Sequence, residues 1–438
     1  VTDSWFDELA EFLRIPSISA DPARADDVKR AGEWVCDFIC AGGGEAQLID
    51  WNGQPIVDAE FRSSRPDAPT VLVYGHFDVQ PPDPVELWAS DPFEPAIRDG
   101  YLYGRGTVDD KGQLYMLLAA ARELARSGDL PVNIRFCCDG EEETGGHSIV
   151  EFLEADERGA DGAVIFDSDM IKPGVPAFNI ATRGLVYFHL TLRTGARDLH
   201  SGVYGGAAMN AIHALTTTLA GVLARDGRLP EPLRKGIVAP TVEELAGWSQ
   251  LPLGTDELAE QGASPADARA AEEFYLRTFG EPSLDVNGVE SGSPQLQKTV
   301  LPVVAHANLS IRLAPGQRVE EIAPEVERLL REAVPAGATL EIEQLSAAPP
   351  GLMSPDSRVI QLGLVAFERT IGRRPALIRS GGTLPIVPAL ADKGIATIIT
   401  GFGLSDSNIH SPNERLVVEY VPLGIATARE LFVELAAL

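Results

Sequence analysis

Cysteine is scarce in this chain, with four in 438 residues. So few thiols over that length do not build a disulfide framework. Positive charge is also in deficit: 36 Lys and Arg stand against 64 Asp and Glu, a formal net charge of −28. Nucleic-acid binding, which rests on Lys and Arg neutralising phosphates, is therefore not expected. An anionic membrane surface is disfavoured for the same reason. No stretch reaches the roughly 18 consecutive apolar residues of a membrane-spanning helix. The start, Val1-Thr2-Asp3-Ser4-Trp5-Phe6, has neither a basic region nor a long apolar one, so no targeting segment is read there. These absences point to a soluble, acidic protein, expected in the cytoplasm. What is present is globular: 45% of residues are apolar and 23% charged, which excludes wholesale disorder. The length exceeds what one hydrophobic core usually serves.

The first third alternates helix and strand. Residues 26–41 carry Val28, Ala31, Trp34, Val35, Phe38 and Ile39 at helical spacing, and Gly42-Gly43-Gly44 ends that helix. The run 70–74 is short, apolar and β-branched, as a buried parallel strand requires. A helix over 113–127 and strands over 132–138 and 162–166 follow. The middle differs. Residues 185–192, 306–313 and 339–345 alternate as half-exposed strands do, helices are expected over 205–225 and 319–333, and 226–302 reads as polar loop. After Ala348-Pro349-Pro350 the α/β pattern returns, with helices 357–371 and 421–435 around a strand 395–400. The expected fold is α/β: a mostly parallel sheet with helices on both faces, interrupted by a smaller α+β domain. The expected boundaries are 1–184 and 348–438 for the split domain and 185–347 for the insertion.

Asp and Glu are common here, so most are solvated surface charge. Five segments stand apart because they follow strands or occupy Gly-rich turns, where α/β sheets collect their ligands. In Gly75-His76-Phe77-Asp78, residues two apart share a side. His76 can bind a metal while Asp78 accepts a hydrogen bond from its other ring nitrogen; a chance pairing at a strand end is the competing reading. Asp109-Asp110, between glycines and ahead of a helix, suits a carboxylate bridging two metals, or else an acidic helix start. Glu141-Glu142-Glu143 at a strand exit reads as a metal ligand beside a general base. Asp167-Ser168-Asp169 ends another strand, and Asn408-Ile409-His410-Ser411-Pro412-Asn413-Glu414 lies far down the chain. Oxygen and imidazole donors without thiolates suit zinc, manganese or cobalt. A pair of such ions activates water and polarises a carbonyl, and a free glutamate shuttles the proton: metal-assisted amide hydrolysis. Residue types alone do not say which carboxylate binds which ion.

Taken in order, His76-Phe77-Asp78, Asp109-Asp110-Lys111-Gly112, Glu142-Glu143-Thr144-Gly145, Asp198-Leu199-His200-Ser201-Gly202 and His410-Ser411-Pro412-Asn413-Glu414 form a highly specific set. It resembles the co-catalytic zinc exopeptidase family of carnosine dipeptidase, aminoacylase and glutamate carboxypeptidase, most of all the carnosinase-type cytosolic dipeptidases. The resemblance runs from Val71 to Glu414. It implies two divalent ions, zinc first and manganese or cobalt as alternatives. His76 and Asp167 would bind one ion, His410 and Glu143 the other, and Asp109 would bridge them; its peptide bond to Asp110 is expected to be cis. Asp78 would brace His76, and Glu142 would be the general base. Asp169 is chemically as good a ligand, but the resemblance, counted back from Arg183-Gly184 at the family's spacing, implies Asp167; in related enzymes an aspartate there leans towards aminopeptidases and dipeptidases. His200 would stabilise the oxyanion from across a homodimer interface. Arg312 would hold the substrate carboxylate, with Thr299 and the loop Ser380, Gly381, Gly382 and Thr383 as further substrate contacts.

One departure bears on specificity. Carnosinase-like sequences read Arg-Glu-Gly-Gly-Ser-Ile-Pro where this chain has Arg379-Ser380-Gly381-Gly382-Thr383-Leu384-Pro385. Ser380 cannot supply the charge that pairs with a substrate's free amine, which keeps an N-acyl or N-carbamoyl amino acid amidohydrolase as the alternative to a dipeptidase. A non-catalytic binding or dimerisation module is the third reading, and the intact residue set opposes it. Cys36 and Cys40, four apart on a helix, read as small core residues rather than a metal pair, Cys137-Cys138 as buried strand, and His147, His189, His213 and His306 as ordinary surface or framework histidines.

Overall fold

The computed structural model describes residues 4–382 and 384–438. The chain folds into two compact units. The first comprises residues up to Ile180, Met353–Ile378 and Pro385–Leu438; the second comprises Ala181–Leu352 and Arg379–Leu384.

The apolar run 71–74 settles where an apolar run must, in the middle of a sheet. Strand Thr70–His76 pairs in parallel with Asn133–Asp139 on one side and Gly162–Phe166 on the other, and Thr397–Thr400 adds a fourth parallel strand. Antiparallel strands Gln54–Phe61 and Glu45–Trp51 complete a six-stranded, mostly parallel sheet. The last two form a hairpin whose turn, Asn52-Gly53, has both residues at positive φ (54° and 86°). An Asn-Gly pair between strands favours that turn, a readable signal. The register sets His76 opposite Asp139, so adjacent strands end together and their exits share one edge.

Helices Ala25–Ala41, Lys111–Ser127, Arg358–Ile371 and Tyr420–Leu435 contribute apolar faces to one core with this sheet. Two of them stop at left-handed glycines, Gly128 and Gly372, which lack the Cβ that penalises that conformation. An aromatic cluster anchors the core: the Phe367 ring lies 5.0 Å from Phe178, 6.1 Å from Phe166 and 6.2 Å from Phe402.

The second unit is built on a four-stranded antiparallel sheet ordered Ser283–Glu290, Val304–Leu313, Gly184–Arg193, Thr339–Ala348. One face is apolar (Phe188, Leu190, Leu309, Ile311) and clusters with Leu215 of helix Ala211–Leu219 and with Val326 and Leu330 of helix Val319–Ala333. Here three expectations are corrected. The helix expected over 205–225 is instead Ser201–Tyr204 and Ala211–Leu219. Gly206 is left-handed, and the Asn210 side chain accepts from Ile212 N to start the second helix. The stretch 226–302, expected as loop, holds strand Ser283–Glu290 and helices Val242–Trp248 and Gly254–Glu260. That strand is a sheet edge with a register shift at Val286/Gly288, so its residues carry no clean alternation. The segment 379–384, expected with the split domain, groups with the second unit. Arg379 is ion-paired to the buried Glu244 and donates to the Val238 carbonyl, while Arg183 reaches the carbonyls of Gly381 and Gly382.

Among the described residues, no helix is long and apolar enough to cross a membrane.

Phe367→Ala is expected to lower the unfolding free energy of the first unit by about 3–5 kcal/mol in chemical denaturation, because the cavity loses both transfer energy and ring contacts. Val433→Ala, at a half-exposed position, is expected to stay within about 0.5 kcal/mol.

Candidate active site

His76 is the last residue of its strand, and its side chain is fully buried. Gly75 before it has no room for a side chain: a Cβ there would lie 2.8 Å from Asp110 Oδ2 and 2.9 Å from Leu114 Cδ1. Beyond His76 the alternation continues through Asp78 and Gln80, and all three serve one small region. The Nδ1 of His76 is 3.1 Å from the Asp78 carbonyl oxygen and 3.4 Å from its Oδ1. The Asp78 carboxylate also accepts from the backbone N–H groups of Glu142 (3.2 Å) and Glu143 (3.1 Å). Gln80 then grips the Glu143 carboxylate, from its backbone N at 3.1 Å and from Nε2 at 2.8 Å.

Asp109 lies between two imidazoles. Its Oδ1 is 3.0 Å from His76 Nε2 and its Oδ2 is 2.8 Å from His410 Nε2. The Asp109–Asp110 peptide is cis. Asp110 Oδ2 accepts from the backbone N of His76. His410 has a left-handed backbone (φ 57°), and its Nε2 is also 3.2 Å from Glu143 Oε2.

The three consecutive glutamates separate in space. Glu141 caps helix His147–Ala155, its carboxylate accepting from Ser148 N. Glu143 joins His410 and Asp109. Glu142 lies between, and its carboxyl is pushed up to about 8: burial is the main cause, and the charges of Asp167, Glu143 and Asp109 raise it against the opposing His76. Asp167, whose backbone N donates to the Thr400 carbonyl, is pushed up to about 7 by burial and by Asp109. Asp169 turns elsewhere. Its Oδ1 is buried without a hydrogen-bond partner against Gly403, where a Cβ would come within 1.8 Å of it.

Two groups of donors result: His76, Asp109 and Asp167, and Asp109, Glu143 and His410. Within each, the donor atoms lie within 4.8 Å of one another, and Asp109 belongs to both. Burial alone would raise the Asp109 carboxyl, yet hydrogen bonds from His410 and His76 hold it well below the usual range. His410 is pushed up to about 10 by Asp109 and Glu143. His76 is raised well above its ordinary value: burial opposes this, but Asp109 and Asp78 outweigh it. Raised imidazoles beside raised carboxyls mark a pocket with more acceptors than its own side chains can neutralise. Two divalent ions that share Asp109 fit this set of nitrogen and oxygen donors.

The other expected contacts belong to the second unit. His200 ends strand Leu199–His200, which pairs with Val300–Leu301. Its Nδ1 accepts from Gly202 N at 3.0 Å, which places the ring proton on Nε2. The Thr299 carbonyl accepts from both the backbone and the hydroxyl of Ser201. Arg312, on strand Val304–Leu313, lies opposite Ser283. Its guanidinium is close enough to Arg183 that burial and the Arg312 charge together lower Arg183 to about 10. The Ser380 hydroxyl accepts from Gly382 N, closing its own turn. Thr383 lies outside the described residues.

Four further residues support the first-unit cluster: Gln80, Arg105, Lys111 and Glu414. Gln80 continues the spacing of His76 and Asp78, which was its available signal. Lys111, fully buried, donates to the carbonyls of Phe12 and Ile15 and so ties the first helix to the Asp109 turn. Arg105 and Glu414 form a buried ion pair between segments more than 300 residues apart, which no local pattern reveals.

The model of the family described as Peptidase family M20/M25/M40 matches residues 72–434. A human protein named Beta-Ala-His dipeptidase is 29% identical, over 94% of this chain and 86% of its own length. A Cys-Gly metallodipeptidase of Schizosaccharomyces pombe is 28% identical over 97% of this chain and 94% of its own. The crystal structure of an M20 family metallo-carboxypeptidase from Sulfolobus solfataricus superposes with a TM-score of 0.87 at 27% identity, covering all of both chains.

Metal ligation needs neutral imidazoles, and His76 and His410 are both raised so that they hold protons at pH 7. Zinc binding to the metal-free chain is therefore expected to release protons, from the two imidazoles and from the raised Asp167 carboxyl, and to tighten as pH rises towards the His410 value. Calorimetry in buffers of different ionisation heat measures this; binding with no proton release contradicts it.

Proposed function

The chain belongs to the peptidase family M20/M25/M40, and on that premise we propose that it hydrolyses the peptide bond of dipeptides at a dinuclear metal centre. It is an enzyme of the metallodipeptidase class. The observation that carries the dinuclear reading is Asp109, held between His76 and His410 with one oxygen towards each. His76 and Asp167 would hold one ion, His410 and Glu143 the second, and Asp109 both. Two bound divalent ions, zinc in this reading, would supply an acidified water and a polarised scissile carbonyl.

The chain's own groups do the rest. Glu142 is the general base: it takes a proton from the attacking water and hands it to the leaving nitrogen. Burial and acidic neighbours raise its carboxyl, so it holds a proton more readily than an exposed glutamate does. Asp78 fixes the geometry from both sides, bracing His76 and accepting from the backbone of Glu142 and Glu143. His200, with its proton on Nε2, donates to the developing oxyanion from across a homodimer interface. Arg312 receives the substrate carboxylate through its planar fork, and Thr299, Ser380, Gly381 and Gly382 contact the rest.

Dipeptide substrates are favoured by the named activities of the human and fission-yeast relatives and by aspartate at position 167. A second reading, hydrolysis of N-acyl or N-carbamoyl amino acids, is favoured by one observation. Position 380 carries serine, and its hydroxyl is engaged with Gly382 N.

With zinc, β-alanyl-histidine or cysteinyl-glycine is expected to be cleaved faster than its N-acetylated form; the reverse order selects the second reading. Glu142→Gln is expected to lower kcat by about 10²–10⁴-fold while the chain still takes up two ions. Undiminished kcat in that variant removes Glu142 as the base.

A further inference from the structure

The Asp109 turn has local bonds, from Thr107 N and its hydroxyl to the Gly104 carbonyl and from Gly112 N to the Gly106 carbonyl. The amides of Gly106, Val108 and Asp109 are instead taken by a carboxylate from the far end of the sequence. The Glu414 side chain is fully buried. Its Oε1 accepts from Val108 N at 2.8 Å, from Asp109 N at 3.2 Å and from the Thr107 hydroxyl at 3.5 Å. Its Oε2 accepts from Gly106 N at 3.0 Å and from Arg105 Nη1 at 2.7 Å. The Glu414 backbone carbonyl accepts from Gly104 N. Arg105 extends the contact: its Nη2 donates to the carbonyls of Pro81 (3.3 Å) and Ser411 (3.4 Å). The Arg105–Glu414 pair thus touches the segment after His76, the turn that ends in Asp109, and the loop that carries His410. That loop has three non-glycine residues at positive φ, Asn408, His410 and Asn413. Such a conformation persists only where its surroundings over-determine it.

We propose that Glu414 is a positioning residue of the metal centre: its carboxylate templates the 105–109 turn and ties it to the His410 loop, so that Asp109 is placed between the two imidazoles. This rests on the dinuclear reading above. The chemistry requires a carboxylate. Oε1 faces the N–H groups of Val108 and Asp109, and Oε2 faces Gly106 N–H and the Arg105 guanidinium, so a glutamine amide in either orientation sets an N–H against N–H groups or against the guanidinium.

A merely structural ion pair would predict loss of stability and nothing more. The separating readout is metal uptake, followed by Co²⁺ titration of the metal-free full chain with visible absorption and calorimetry. Wild type is expected to take two ions. Glu414→Gln is expected to weaken the second equivalent by at least about ten-fold and to change the cobalt spectrum. The control is Asp58→Asn, which disturbs another buried pair in the same unit, with partners Arg135, Arg158 and Gln47; it is expected to lose stability but load both ions normally. Wild-type affinity for both ions in Glu414→Gln, or equal weakening in Asp58→Asn, overturns the proposal. Where Glu414→Gln yields no folded protein, Glu414→Asp carries the test, and wild-type affinity there overturns it. Fewer than two ions in wild type overturns the dinuclear reading itself.

Discussion

The first unit is organised around one electrostatic constraint: Asp109, Asp167, Glu142 and Glu143 converge on two imidazoles at the exits of adjacent strands. His76 and the carboxylates are largely buried while His410 is half-exposed, so among the carboxylates screening is weak and like charges are costly. The carboxyls respond in opposite directions. Asp109, between both histidines, is held low, while Asp167 and Glu142 are driven up by burial and by the other carboxylates. One shared carboxylate flanked by two sets of donors is the arrangement that two dications satisfy together.

The scaffold delivers this arrangement through register and a small set of bracing contacts. Parallel pairing aligns His76 with Asp139, so the segments leaving those strands, one with Asp78 and Gln80, the other with the three glutamates, meet directly. Asp78 takes the backbone amides of that second segment and Gln80 takes its Glu143 carboxylate. Glu141 is drawn off to cap a helix, so three consecutive like charges do not compete for one place. The Asp109 turn and the His410 loop, remote in sequence, meet through Arg105 and Glu414. In the proposed reaction His76 and Glu143 are therefore oriented by partners of their own, Asp78 and Gln80.

Much of this was legible in the sequence, for identifiable reasons. The mostly parallel sheet follows from apolar runs such as 71–74, whose length and β-branched content leave little alternative. His76, Asp109, Glu143 and Asp167 stand out because each follows a strand or occupies a Gly-rich turn, whereas His410, in a loop without glycine, is marked by the resemblance. What escaped was non-local or sterically decided. Nothing near Asp169 says that its carboxylate turns towards Gly403. Glu414 was visible as a motif residue but not as a cap for a turn some 300 positions earlier. Strand Ser283–Glu290 was missed because an edge strand with a shifted register does not alternate. The segment 379–384 changed unit through Arg379 and Glu244, whose pairing no spacing rule anticipates.

Anomalous diffraction at the zinc edge from crystals of the metal-loaded chain decides whether two ions share Asp109. Two peaks are expected. One would be bounded by His76 and Asp167, the other by His410 and Glu143, with one oxygen of Asp109 directed at each. A single peak, or two peaks that do not share Asp109, would contradict it.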